Sequence, residues 1–188
     1  MILRWTICFF FISCFQCFSQ GGSVRIAVYG GGSVDFIFNS ITDYKTGLTY
    51  TNRTLLGIDV IDNVALPDYT TWELRFQASD ADADGFLTGS KPANTLPFGV
   101  IEVKATLSAG CVSCKFFGSP FVALSTVSTV LVDGNAAGGA DDIPPNLATA
   151  TDQINLSYRC GVTTNLLTLS PESDYYSDDI FIDLIMSP

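Results

Sequence analysis

The most regularly spaced chemical groups in this chain are the carboxylates of Asp80-Ala81-Asp82-Ala83-Asp84-Gly85. Acids at alternate positions followed by glycine form the first half of an EF-hand loop. There they supply oxygens at positions one, three and five, and the glycine permits the sharp turn. The second half departs from that pattern. Lys91 stands at position twelve, where a bidentate Glu completes the calcium sphere, although Leu87 fits the apolar position eight. No helical period flanks the loop. The favoured expectation is a solvated turn between a strand ending near Ala78 and one starting near Val100. The alternative is a Ca²⁺ ion held at modest affinity by Asp80, Asp82, Asp84 and a backbone carbonyl.

The other chemistry on offer is sparse. There is no His, which removes the commonest general base, the Ser/His and Cys/His dyads and most zinc sites. The glutamates are Glu73, Glu102 and Glu172. Glu73 and Glu102 both fall mid-strand, and as cross-strand neighbours about 5–9 Å apart they would suit glycoside hydrolysis. Each also reads as the outward residue of an alternating strand. Trp72, the one Trp outside the N-terminal leader, falls on the core face opposite Glu73 rather than in a sugar cleft. The chain is therefore read as non-enzymatic. Tyr44, Tyr50, Tyr69, Tyr175 and Tyr176 suit either sheet-edge packing or a carbohydrate- or protein-binding face. Asn52-Arg53-Thr54 and Asn155-Leu156-Ser157 match the glycosylation sequon.

Six cysteines divide evenly between the leader (Cys8, Cys14, Cys17) and the body (Cys111, Cys114, Cys160). In an oxidising compartment the expected disulfide joins Cys160 to Cys111 or Cys114. Closing a loop of nearly 50 residues contributes roughly 3–4 kcal/mol in the chain-entropy model. A local Cys111–Cys114 clip competes with it. Cys111-Val112-Ser113-Cys114 has redox spacing, but Lys115-Phe116-Phe117-Gly118 reads as a passage into a strand rather than the helix that lowers a thiol pKa.

These groups must be positioned by 188 residues, enough for one domain of ordinary size. Hydrophobic residues make up 47% and charged residues 15%, so the chain buries enough apolar surface to order itself. The net charge of -10 opposes binding to nucleic-acid phosphates. Residues 1–19 read as a signal peptide. Arg4 supplies the positive end, Trp5–Phe18 the apolar run, and Cys17 and Ser19 the small residues at the cleavage site. The run is short of the roughly 20 residues of a membrane span. Residues 20–188 then form one exported domain, secreted or at the cell surface, with no membrane span.

Period-two alternation dominates that domain. Val24, Ile26 and Val28 alternate with Ser23, Arg25 and Ala27, and Val34, Phe36 and Phe38 alternate with Asp35, Ile37 and Asn39 beyond Gly30-Gly31-Gly32. Further strands are expected at Leu48–Ile61, Thr70–Ala78, Val100–Leu107, Phe121–Val132, Ile154–Cys160 and Asp179–Met186. No ten-residue stretch has a helical period. The expected fold is all-β, a two-sheet antiparallel sandwich of immunoglobulin-like or jelly-roll outline. Val24–Val28 is expected to pair with Val34–Phe38 in a glycine-turned hairpin. The alternative is an arm given to a neighbouring subunit, with Val24, Ile26 and Val28 as anchors; the C-terminal strand, with Ile180, Ile182 and Leu184, is the other terminal strand that could make such a contact.

The leader followed at once by an alternating strand, the run Trp72-Glu73-Leu74-Arg75-Phe76-Gln77-Ala78, the Leu96-Pro97-Phe98 turn and the Tyr175-Tyr176-Ser177-Asp178-Asp179-Ile180 ending resemble secreted fimbrial-type β-sandwich subunits, particularly spore-coat-protein-U-like domains. The cysteine placement and the Asp80–Gly85 loop depart from that pattern. The resemblance implies a non-catalytic cell-surface or adhesion subunit that meets a protein partner, or a copy of itself, by strand exchange at a sheet edge. The alternative is a carbohydrate-binding module with a calcium-stabilised loop.

Overall fold

The structure, a computed structural model, describes residues 23–61, 71–80, 84–91, 93–107, 115–116, 121–133, 154–172 and 174–187. The expected leader, Asp82, Cys111, Cys114 and the side chains of Val24 and Trp72 lie outside the described residues. In chain order the strands are β1 (Ser23–Gly30), β2 (Leu48–Ile61), β3 (Thr71–Ala78), β4 (Phe86–Gly89), β5 (Thr95–Pro97), β6 (Ile101–Leu107), β7 (Lys115–Phe116), β8 (Val122–Ala123), β9 (Thr129–Asp133), β10 (Ile154–Cys160), β11 (Tyr176–Ser177) and β12 (Ile180–Ser187). Two short helices, α1 (Ile41–Thr46) and α2 (Leu166–Leu169), and a 3₁₀ turn at Phe98–Val100 complete the fold.

The strands form three antiparallel sheets, ordered β1-β2-β10-β6-β8, β12-β3-β9-β7 and β11-β4-β5. The fold is all-β. Alternation sets the faces: Leu74, Phe76 and Ala78 of β3 are buried, while Glu73, Arg75 and Gln77 between them are not. Ile154, Leu156, Tyr158 and Cys160 of β10 do the same for the five-stranded sheet. With Leu87 of β4, Leu96 of β5 and Leu131 of β9 they close one apolar core. Burying a side chain such as Leu74 or Phe76 contributes about 1.5–3 kcal/mol.

The expected hairpin is corrected. β1 pairs with β2, placing Ser23 opposite Ile61 and Val28 opposite Leu56. Residues 33–38 form no ladder. The reason lies at Gly31, which has φ 70°, and whose absent Cβ would stand 1.7 Å from the Arg53 carbonyl oxygen. Only glycine fits that approach. The Thr54 hydroxyl donates to the Gly31 carbonyl at 2.6 Å. The chain is thereby pinned to β2 instead of turning back along β1. Phe36 then stacks on Tyr50 of β2, with ring centroids 5.1 Å apart.

Other boundaries moved for local reasons. The expected strand Phe121–Val132 breaks at Ser125, whose hydroxyl bonds Val127, so that β8 joins one sheet and β9 another. The β4–β5 hairpin lies in the stretch expected to be loop. α1 starts at a capping box: the Ser40 hydroxyl accepts from the Asp43 N–H, and the Asp43 carboxylate accepts from the Ser40 N–H. The expected disulfide is also corrected. Cys160 is a free thiol, directed into the apolar core by its place in the alternation of β10. Among the described residues, no helix is long and apolar enough to cross a membrane.

Candidate functional site: a cleft between two sheet edges

β1 and β12 are the outermost strands of the two larger sheets. Beside them opens a cleft of about 1090 Å³. One wall is the segment 31–38, and the other is the run 174–182 leading into β12. Consecutive residues of each wall border the cleft, including Ile180, Phe181 and Ile182. Successive side chains of a strand point to opposite faces. Three in a row therefore border one space only if that space meets the strand along its edge.

Among the described residues the outer edges of β1 and β12 take no partner strand. β12 pairs with β3 on one side, from Ile180 opposite Ala78 to Ser187 opposite Thr71. Among the described residues no strand pairs its other side. Alternation still governs the opposite wall: Val34, Phe36 and Phe38 pack against the core while Asp35 and Ile37 are exposed. The floor is apolar and reaches buried Leu87, Leu96, Leu124 and Leu166. Exposed Val28, Ile37, Tyr175 and Phe181 extend the apolar surface to the rim.

The charge at the cleft has one sign. Asp35, Glu172, Asp174, Asp178 and Asp179 line it, and among the described residues no Lys or Arg does. Burial, and then the neighbouring charges of Asp179 and Asp80, push the Asp178 carboxyl up, against backbone N–H bonds from Asp179 and Asp80 that pull it down. Asp174 is held well below the usual carboxylate range, first by the Ser90 hydroxyl and then by the Lys91 N–H. The Asn94 amide at 2.9 Å and the Tyr175 N–H at 2.8 Å also donate to it. Asp174 thus ties the 174–177 wall to the β4–β5 hairpin. Burial, then Asp174 and Glu172, raise the Tyr176 phenol. Burial raises the Tyr158 phenol at the floor, and its bond to Thr54 opposes that rise.

The sequence-predicted sites are scattered. One oxygen of Asp80 accepts from the N–H groups of Asp84 and Gly85, both at 3.0 Å, and Asp84 accepts from the Phe86 N–H at 2.8 Å. These bonds close the turn into β4. Asp82 is outside the described residues, among which no group of three His, Cys, Asp or Glu residues is placed to hold a metal.

Glu73 and Glu102 are not cross-strand neighbours, because β3 and β6 belong to different sheets. Glu73 pairs with Arg75 at 2.7 Å. Glu102 pairs with Arg159 at 2.7 Å. Tyr44 packs on Phe38 and Tyr50 on Phe36, so neither ring is presented as a free platform.

Of the expected strand-exchange contacts, Ile26 and Val28 lie on edge strand β1, and Val28 is exposed. Ile180, Ile182 and Leu184 pack against the chain's own core. Phe181 and Ile185, exposed between them, are the side chains free for a partner. The 31–38 wall was not expected to line a site. Its signal was an alternating run placed between three glycines and the Ser40–Asp43 capping pair.

No protein-family model matches the chain, and no curated protein matches it.

Proposed function

We propose that this chain is a secreted, non-catalytic β-sandwich protein of cell-surface structure or adhesion, which meets its partner by strand pairing at a sheet edge. In this reading the two larger sheets are the layers of an immunoglobulin-like or jelly-roll sandwich, and the third sheet closes one end. The observation that carries it is the unused outer edge of β12 beside an apolar cleft. An edge strand presents N–H and C=O groups to any strand that approaches, and a flat apolar edge left uncovered in a native protein marks a place for one. The fimbrial-type resemblance points the same way. Sedimentation velocity of the exported chain over a hundredfold concentration range tests it. Reversible association that weakens when Phe181 and Ile185 are both replaced by Lys supports strand pairing. A strict monomer that binds no extended peptide contradicts it.

A further inference from the structure

We propose that the cleft selects its strand by charge: it takes an extended segment with alternating apolar side chains and a basic residue between them. The inference rests on the strand-pairing reading and adds the chemistry of the partner.

The backbone comes first. The two walls are 31–38, whose exposure alternates over 34–38, and 178–182, which runs into β12, and both border the cleft. Among the described residues, the backbone of 33–38 makes no ladder and β12 has one free side. A small ligand leaves those main-chain groups unused, whereas a strand satisfies them along its length. At about 3.3 Å per residue, walls of this length accept a segment of roughly six residues.

The side chains of such a segment alternate. Those turned inward meet Leu87, Leu96, Leu124 and Leu166, and the Tyr158 and Thr54 hydroxyls at the floor are already bonded to each other and to the Gly31 carbonyl, so apolar side chains are favoured at every second position. Those between them face the rim.

The rim decides the rest. Five carboxylates line the cleft with no cation beside them among the described residues, in a chain of net charge -10. An acidic residue on the incoming strand meets like charge, and a Lys or Arg meets opposite charge. The raised Asp178 carboxyl fits a rim that lacks a cation. Of this chain's terminal strands, β12 carries Asp183 and is disfavoured, while Ser23-Val24-Arg25-Ile26-Ala27-Val28 has the required alternation and a central Arg. It serves as the probe.

The test uses the full exported chain and synthetic peptides of residues 23–28: the natural one, its Arg25→Glu form, and a form N-methylated at alternate positions. Titration at low salt should give at least about tenfold tighter binding of the Arg than of the Glu peptide, narrowing in 0.5 M NaCl as screening shortens the field. The N-methylated peptide should not bind. Asp178→Asn with Asp179→Asn should narrow the Arg preference several-fold, Asp35, Glu172 and Asp174 remaining, while the Glu peptide binds as well or better. Equal binding of the Arg and Glu peptides overturns charge selection and leaves strand pairing standing. Binding of the N-methylated peptide as tightly as the natural one, or no binding of any peptide, overturns strand pairing at this cleft and the inference with it.

Discussion

The Tyr158 phenol donates to the Thr54 hydroxyl at 2.9 Å inside the core, across a sequence separation of 104 residues. Thr54 passes the bond on to the Gly31 carbonyl, so β10, β2 and the start of the cleft wall share one polar chain. Removing the phenol leaves a buried Thr54 acceptor unpaired. Tyr158→Phe should cost about 1–2 kcal/mol in urea unfolding. Thr54→Val should cost more, because it strips the Gly31 carbonyl of its donor as well. A Tyr158→Phe variant as stable as the parent would show that the chain of bonds holds nothing.

Glu102 meets Arg159 in a fork. Nε reaches one carboxylate oxygen at 2.7 Å and a terminal nitrogen reaches the other at 2.7 Å. Thr163 adds a bond to the same carboxylate at 3.1 Å. Phe121 stacks under the guanidinium at 4.4 Å. The pair is largely buried, so losing the charge of one partner strands the other. Glu102→Gln should cost about 2–3 kcal/mol by denaturant midpoint. A loss below about 0.5 kcal/mol would class it with exposed ion pairs.

Why the fold was legible and the cleft was not follows from what alternation encodes. It says which side of a strand is apolar, so β2 and β10 could be placed in the sequence almost residue for residue. It does not say which strands hydrogen-bond. Residues 33–38 alternate as well as any strand, yet make no ladder, because Gly31 is committed to a backbone approach with Arg53 that only the folded chain reveals. α1 and α2 are shorter than any window in which a helical period can be read. The two carboxylates imagined as a pair, Glu73 and Glu102, sit in different sheets, and sheet membership is a property of long-range order. The acidic rim gathers Asp35 and Asp178 from distant stretches, with no spacing to announce it.

Asp178 and Asp174 titrate with opposite signs. The Asp178 carboxyl is raised in the folded chain, so its contribution is favourable while it is protonated at low pH and is lost as pH rises through its folded value. Asp178→Asn should therefore raise Tm at pH 7 and have no such effect at pH 3. Asp174 is lowered, so its contribution is present above its unfolded value and is lost only as pH falls through the lower, folded one. Asp174→Asn should lower Tm at pH 7, with the gap closing in strong acid. Thermal melts of both variants across pH 2–8 check the signs, and matching slopes for the two would contradict them.

Burial pushes the Cys160 thiol up to about 12. The thiolate is the nucleophile, so alkylation of Cys160 in the folded chain at pH 8 should run on the order of a thousandfold slower than in urea. Peptide mass mapping after timed iodoacetamide exposure reads Cys160 apart from Cys111 and Cys114. Labelling at the same rate in both states would place the thiol in solvent.

Amide hydrogen exchange of residues 33–38 and 180–184, with and without saturating peptide of residues 23–28, tests the edge-pairing account most directly. The account predicts fast exchange of 33–38 in the free chain, and slowing by tenfold or more in both walls when the peptide is bound. In 180–184 the amides that bond β3 are protected throughout, so the slowing there falls on those facing the cleft. Protection of 33–38 already in the free chain, or no change at saturation in 33–38 and in the cleft-facing amides of β12, would contradict it.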